Sequence, residues 1–279
     1  MFENKSLFNF VASISGGKDS QAMLKQMQLD DMVPHSIIHC DLGKMEWSES
    51  LPHCYRIAQE YFGMECIVLK RKDGLGLLEY IQRRMDKLSG TGKPFWPSSK
   101  ARFCTSDTKR APSDTYYRTL PTDKIIVSME GIRADESAAR SKKQPLTVRK
   151  GVTSSYYKDM TPEQAIASFK PGKRLVLTYY PIFNKTTEDV YELCGQSIDK
   201  LIEARKEYRM SGAVPSWWTM HPAYAYGNNR VSCRFCILGD LNDLRVAKQE
   251  SKDDLLDILI GMEEQGNCTF KNKFSLKEL

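Results

Sequence analysis

The sequence predicts an α/β protein, a parallel sheet covered by helices on both faces with a small helical C-terminal region carrying Cys-x-x-Cys, on three observations. Short apolar runs of strand length alternate with longer amphipathic segments, the pattern of strands buried on both sides. Ser15-Gly16-Gly17-Lys18-Asp19-Ser20 forms a glycine turn between the first apolar run and a good helix former. Beyond Thr186 the pattern turns helical, and Cys233 and Cys236 stand late in that stretch.

The first strand is Phe8-Asn9-Phe10-Val11-Ala12, and the helix after the turn runs through Gln21 to Met27. Ser36 to Asp41 is the second run, followed by a helical pattern from about Ser48 to Tyr61, and Cys66 to Leu69 is the third. Lys124 to Met129 and Leu175 to Tyr180 read as fourth and fifth strands, which completes a Rossmann-like layout. Residues 90–112 are rich in Gly, Pro and Ser, and 141–172 carry Pro145, Pro162 and Pro171; both are expected to be long irregular loops of the kind that cover sites. The helical pattern from Thr186 to Arg209 breaks at Gly212 and Pro215, and a last helix or two occupies Leu241 to Glu263.

With 279 residues, 41% hydrophobic and 27% charged, and no long apolar run, the composition indicates a soluble globular chain and excludes a membrane-spanning or disordered one. The N-terminus lacks a basic leader and cleavage site and runs directly into the glycine turn, so a cytoplasmic protein with no membrane partner is expected. The net charge of +6 suits a polyanionic substrate. Basic groups cluster at Lys70-Arg71-Lys72, Arg83-Arg84, Arg140 to Lys143 and Arg149-Lys150, yet each run alone also fits a solvated face. Eight cysteines without a leader or dense spacing predict free thiols, and Cys40 and Cys66 read as small buried hydrophobes.

Ligands of such sheets bind beyond the carboxyl ends of the strands. At the first strand, Gly16 and Gly17 let the backbone approach a ligand, and the new helix presents N–H groups and its positive dipole end. Lys18 adds a cation and Ser13, Ser15 and Ser20 add hydroxyls, so the expected guest is a phosphate; the plain alternative is a turn capped by Asp19 or Ser20. The spacing excludes Gly-x-x-x-x-Gly-Lys-Ser/Thr. After the second strand, Asp41 is placed to meet a ribose, an adenine edge or Mg²⁺, or simply to cap the next helix. Gly131-Ile132-Arg133 after the fourth strand offers a turn and a fork for phosphate oxygens, with Arg140 near it. Cys104 stands at a helix start with Lys109 and Arg110 one turn on, which predicts a lowered thiol pKa. Cys233-x-x-Cys236 is spaced to supply two metal ligands, with a redox dithiol as the rival; Cys104 would add a third ligand, and the fourth is Cys194, His221 or an open position.

The glycine turn resembles the PP-loop of ATP pyrophosphatases. Together with Asp41-Leu42-Gly43, Arg102-x-Cys104-Thr105, Gly131-Ile132-Arg133-x-x-Glu136-Ser137-x-x-Arg140 and Cys233-x-x-Cys236, in this order, it resembles the phosphoadenosine phosphosulfate (PAPS) reductase family over roughly residues 8 to 240. The branch most similar includes the DNA phosphorothioation protein DndC. The resemblance implies a sheet of the HUP type, a PP-loop nucleotide-binding domain over 1–200 and a helical cysteine-bearing region over 201–279. It implies ATP and Mg²⁺ held by Ser13, Ser15 to Ser20, Asp41, Gly131, Arg133 and Arg140, with Lys18, Asp41 and Arg133 in catalytic roles. It implies a 4Fe-4S cluster, with zinc as the alternative, on Cys104, Cys233, Cys236 and Cys194. The activity it implies is adenylating sulfur transfer to a nucleic acid or nucleotide, with a sulfur donor or operon partner protein. Two other readings stand beside it: a sulfonucleotide reductase, and a regulatory subunit with structural zinc. The reductases' terminal Glu-Cys-Gly-Leu/Ile-His has no counterpart, Cys268 lying in Gly266-Asn267-Cys268-Thr269-Phe270.

Overall fold

The computed structural model describes residues 2–271 and 274–279. The chain divides into two compact units, each assembled from separate segments. The first comprises Met1–His39, Leu51–Leu69 and Ser113–Lys200; the second comprises Cys40–Ser50, Lys70–Pro112 and Leu201–Leu279. The second unit's last segment starts at Leu201, and this unit also takes in two stretches from before it.

The first unit carries a six-stranded sheet in the order β3-β2-β1-β4-β6-β5. Its strands are β1 (Phe8–Ile14), β2 (Ser36–Cys40), β3 (Cys66–Leu69), β4 (Ile125–Glu130), β5 (Leu146–Val148) and β6 (Val176–Tyr179). β1 runs parallel to β2 and β4, and β4 parallel to β6, while β5 pairs antiparallel at the edge, Leu146 opposite Tyr179. Alternation assigns the two faces of β1 to different cores. Phe8, Phe10, Ala12 and Ile14 join one core cluster, and Val11 joins Ile38, Ile126 and Val176 in another. Helix α1 (Lys18–Leu29) covers the first face with Met23, Leu24 and Met27, all fully buried and each stabilising the fold by about 2 kcal/mol. Helix α2 (Ser50–Phe62) adds Cys54, Ile57 and Ala58 to the same cluster. The chain leaves β1 for β2 on one side and later returns to place β4 on the other. The strand order therefore reverses at the end of β1, the crevice where open α/β sheets take their ligands.

Three segments depart from the expected pattern. The 141–172 stretch contains β5 and a helix at Pro162–Ala167, capped reciprocally by Thr161 and Gln164; a three-residue strand is too short to show alternation. The Gly90–Pro112 stretch becomes helical at Phe103–Thr105, widens into a π turn over Ser106–Arg110 and continues as Ala111–Thr119. Pro112 has no N–H to donate one turn back, and the widened turn immediately before it is the accommodation. The 186–209 helix is two helices, Thr187–Leu193 and Ile198–Ser211, separated at Gly195, whose φ of 71° suits only a residue without Cβ.

The second unit packs helix α3 (Leu77–Leu88) through Leu77, Leu78, Ile81 and Met85 against a cluster that includes Trp47, Trp96, Phe103, Phe235 and Leu255. His221 lies fully buried in this unit, its Nδ1 accepting the Ala223 N–H at 3.1 Å and its Nε2 facing Ser50 Oγ at 3.2 Å. Burial pulls its pKa from 6.5 to about 4. The folded state therefore holds a neutral ring, so its contribution is complete above pH 6.5 and is lost as the pH falls towards 4. Unfolding at pH 7 and pH 4.5 should show a loss of up to about 3 kcal/mol, reduced in His221→Gln. Among the described residues no helix is long and apolar enough to cross a membrane.

Candidate functional site

In the first unit, β1 delivers Ser13 and then the glycine turn to the reversal point of the sheet. Gly16 takes φ 74° and Gly17 caps α1 in an extended conformation. The turn is braced internally: the Ser15 N–H donates to Ser20 Oγ at 3.0 Å, and the two hydroxyls lie 3.1 Å apart. The start of α1 thus presents backbone donors and a dipole to an anion. Lys18 is buried at the first helical position with its ammonium 3.4 Å from the Asp19 carboxylate. Arg133, 3% exposed, reaches the same carboxylate through Nε at 2.6 Å and also binds Asp135 and the Lys185 carbonyl. Burial alone would depress the Arg133 pKa, but Asp19 and Asp135 more than offset it, and the guanidinium stays charged.

Gly131 has a steric role that composition does not reveal. A Cβ there would stand 2.5 Å from the Asp19 carbonyl oxygen and 2.7 Å from its carbon, so α1 can begin where it does only against a bare Cα. Glu136 accepts the Arg133 N–H at 3.1 Å and pairs with Arg140, one turn on. The loop, Gly131, Arg133 and Arg140 are thereby joined through Asp19, itself one of the expected ligand-holding residues, and Glu136.

The remaining predicted residues are split between the units. Asp41 belongs to the second unit and lines a cleft of about 320 Å³ with Lys70, Glu79 and the glycines 43, 74 and 76. Its carboxylate accepts the Gly43 N–H at 2.7 Å and lies 3.2 Å from Lys70 Nζ. Cys104, Cys233 and Cys236 also belong to the second unit, each partly buried. The Cys104 pKa is raised, contrary to the expectation for a helix start beside cations: burial outweighs Thr105, Lys109 and Arg102. Burial likewise pushes Cys233 far up against the pull of Lys109, with Cys236, Glu46 and Cys104 adding to the rise. Burial disfavours the charged form of Lys109, yet Cys233, Glu46, Cys40 and Cys236 together hold it as an ammonium. The three thiols therefore lie within electrostatic reach of one another and of one cation. Among the described residues no three such side chains are arranged to hold a metal ion as they stand. Cys194 belongs to the first unit, where its buried thiol donates to the Lys18 carbonyl at 3.6 Å and burial pushes its pKa far up. His221 has both ring nitrogens engaged, as described above.

The family model described as phosphoadenosine phosphosulfate reductase domain matches residues 9–201. The fold is similar to that of phosphoadenylyl-sulfate (PAPS) reductase from Candida auris, solved as a phosphate complex, with 14% identity over 81% of each chain and a TM-score of 0.43. No curated protein matches the sequence.

Proposed function

Because the chain belongs to the phosphoadenosine phosphosulfate reductase domain family, we propose that it binds ATP at the Ser15–Ser20 loop and catalyses an AMP-forming sulfur transfer to a nucleic acid or nucleotide. In this reading an acceptor oxygen attacks the α-phosphorus and pyrophosphate leaves. A sulfur nucleophile then displaces AMP from the activated acceptor. Lys18 and Arg133 neutralise charge that develops on the phosphates, a role worth several kcal/mol for well-placed cations. Asp19, 3.4 Å from Lys18 Nζ and 2.6 Å from Arg133 Nε, holds both side chains at the loop.

The thiols of Cys104, Cys233 and Cys236, within electrostatic reach of one another, are the donor type that an iron-sulfur cluster takes, and the Lys109 ammonium offsets part of the burial that disfavours their thiolates. Such a cluster would supply sulfur; zinc on the same thiols would be structural. Cys194, engaged with the Lys18 carbonyl, is left outside this proposal.

The observation that favours transfer over reduction is the state of Cys268. A reductase of this family's kind needs a mobile tail thiolate, whereas here the Cys268 N–H donates to the Glu263 carbonyl at 3.1 Å and its carbonyl accepts Trp96 Nε1–H at 2.9 Å. Its thiol is partly covered, and burial raises its pKa. The family's name favours a second reading, reduction of a sulfonucleotide. Protein purified without oxygen and incubated with ATP and bulk nucleic acid should yield AMP, pyrophosphate and new sulfur in the nucleic acid, and Cys268→Ser should do so at the wild-type rate. Sulfite released from PAPS without ATP, and lost in Cys268→Ser, would overturn the proposal in favour of reduction.

A further inference from the structure

The net charge of this chain is concentrated in one segment. Lys70–Pro112, which lies wholly in the second unit, holds eleven lysines and arginines against four aspartates and glutamates. That surplus exceeds the +6 of the whole chain, so the rest of the sequence carries no net positive charge. The segment also carries Cys104.

The structure gathers these charges. α3 turns its apolar positions inward and leaves Arg83 and Lys87, one turn apart, exposed on the opposite side. Asp73 ties this face to the preceding loop, accepting from Arg71 at 2.9 Å and meeting Arg83 at 3.5 Å. Arg71 in turn donates to the Asp107 carbonyl at 3.4 Å, and Tyr80 Oη donates to the Asp107 carboxylate at 2.6 Å. The Arg84 guanidinium lies 4.1 Å over the Phe103 ring. Two of the four acids are thus struts within the patch, and Lys70, Lys72, Arg102 and Arg110 remain exposed around it.

We propose that this patch is a docking surface for duplex nucleic acid, read through its phosphates. The inference deepens the function proposed above by naming its acceptor as a nucleic acid. The aromatic side chains set the mode of binding. Phe95, Trp96 and Phe103 are buried, and Tyr80 lies beneath the Arg71 guanidinium at 3.7 Å. No ring of this patch is presented for unpaired bases to stack upon, so the contact that remains is charge on the backbone, sequence-independent and weakened by salt.

The test is anisotropy of labelled duplex DNA, duplex RNA and single-stranded DNA, titrated with the full chain in the absence of ATP over a range of salt. The triple variant Lys72→Ala, Arg83→Ala, Lys87→Ala should bind duplex about tenfold more weakly at moderate salt, with a log-log salt slope shallower by about 2 to 3. A control that removes the same charge from the first unit, Lys170→Ala, Lys173→Ala, Lys200→Ala, should leave affinity unchanged. Melting curves check that both variants fold. No duplex binding by the wild type, equal losses in the two triple variants, or a preference for the single strand would each overturn the inference. AMP formation on a nucleotide acceptor is scored separately. Duplex binding without AMP formation refutes the chemistry and keeps the surface, and the converse refutes only the surface.

Discussion

Gly131→Ala is expected to dismantle the Ser15–Ser20 turn by sterics alone. The new Cβ would meet backbone, not a flexible side-chain end, at 2.5 Å from the Asp19 oxygen, and real contacts of that kind are not tolerated. Either α1 shifts away from β4 or the strand end retreats. α1 is pinned by Met23, Leu24 and Met27, which are fully buried, and β4 is paired on both sides, so neither movement is cheap. The expected cost is about 2 to 3 kcal/mol, within the range for overpacking a rigid site, together with loss of nucleotide binding. Thermal unfolding with and without ATP measures both: a variant that melts like the wild type and is still stabilised by ATP would contradict the geometry.

Removal of Arg133 is the second large effect. Its guanidinium is nearly inaccessible and satisfies Asp19, Asp135 and the Lys185 carbonyl at once. Arg133→Ala leaves the Asp19 carboxylate, which is largely buried, without its guanidinium partner and with Lys18 3.4 Å away at the helix start. Breaking one side of a buried pair costs about 3 kcal/mol or more, because the desolvated partner remains. AMP formation should also fall by about a hundredfold to a thousandfold, the usual loss when one stabilising donor is removed. Arg133→Lys distinguishes the two roles. It restores a charge without the fork, so it should recover part of the stability and little of the rate; recovery of both would reduce Arg133 to a structural residue.

The central strands and the glycine turn were legible because their signals are local. β1, β2 and β4 are short, mainly apolar runs, and Ser15-Gly16-Gly17-Lys18 carries its chemistry in adjacent residues. The partnership of Arg133 with Asp19 spans 114 positions, and the Gly131 requirement depends on a backbone atom from another element, so neither leaves a pattern. α3 shows a regular apolar spacing, yet it is embedded in charge, and the basic runs before it and within it point to a solvated face instead of to a helix. The Cys104 pKa departs from expectation for a related reason: neighbouring cations can be seen in a sequence, whereas burial cannot. Residue type alone groups Cys194 with the other thiols, and its hydrogen bond to the Lys18 carbonyl becomes visible only once the chain is folded.

The discontinuous division of the chain bears on how this protein can be altered. The polypeptide passes from one unit to the other five times, at 39/40, 50/51, 69/70, 112/113 and 200/201. Severing it after residue 200 would strip Trp47, Trp96 and Phe103 of their partners Phe235, Leu244 and Leu255, which belong to the same cluster. Neither half is therefore a cassette that recombination could move intact into another gene. Because each unit is built from interleaved segments, the two are bound to be inherited, truncated or lost together.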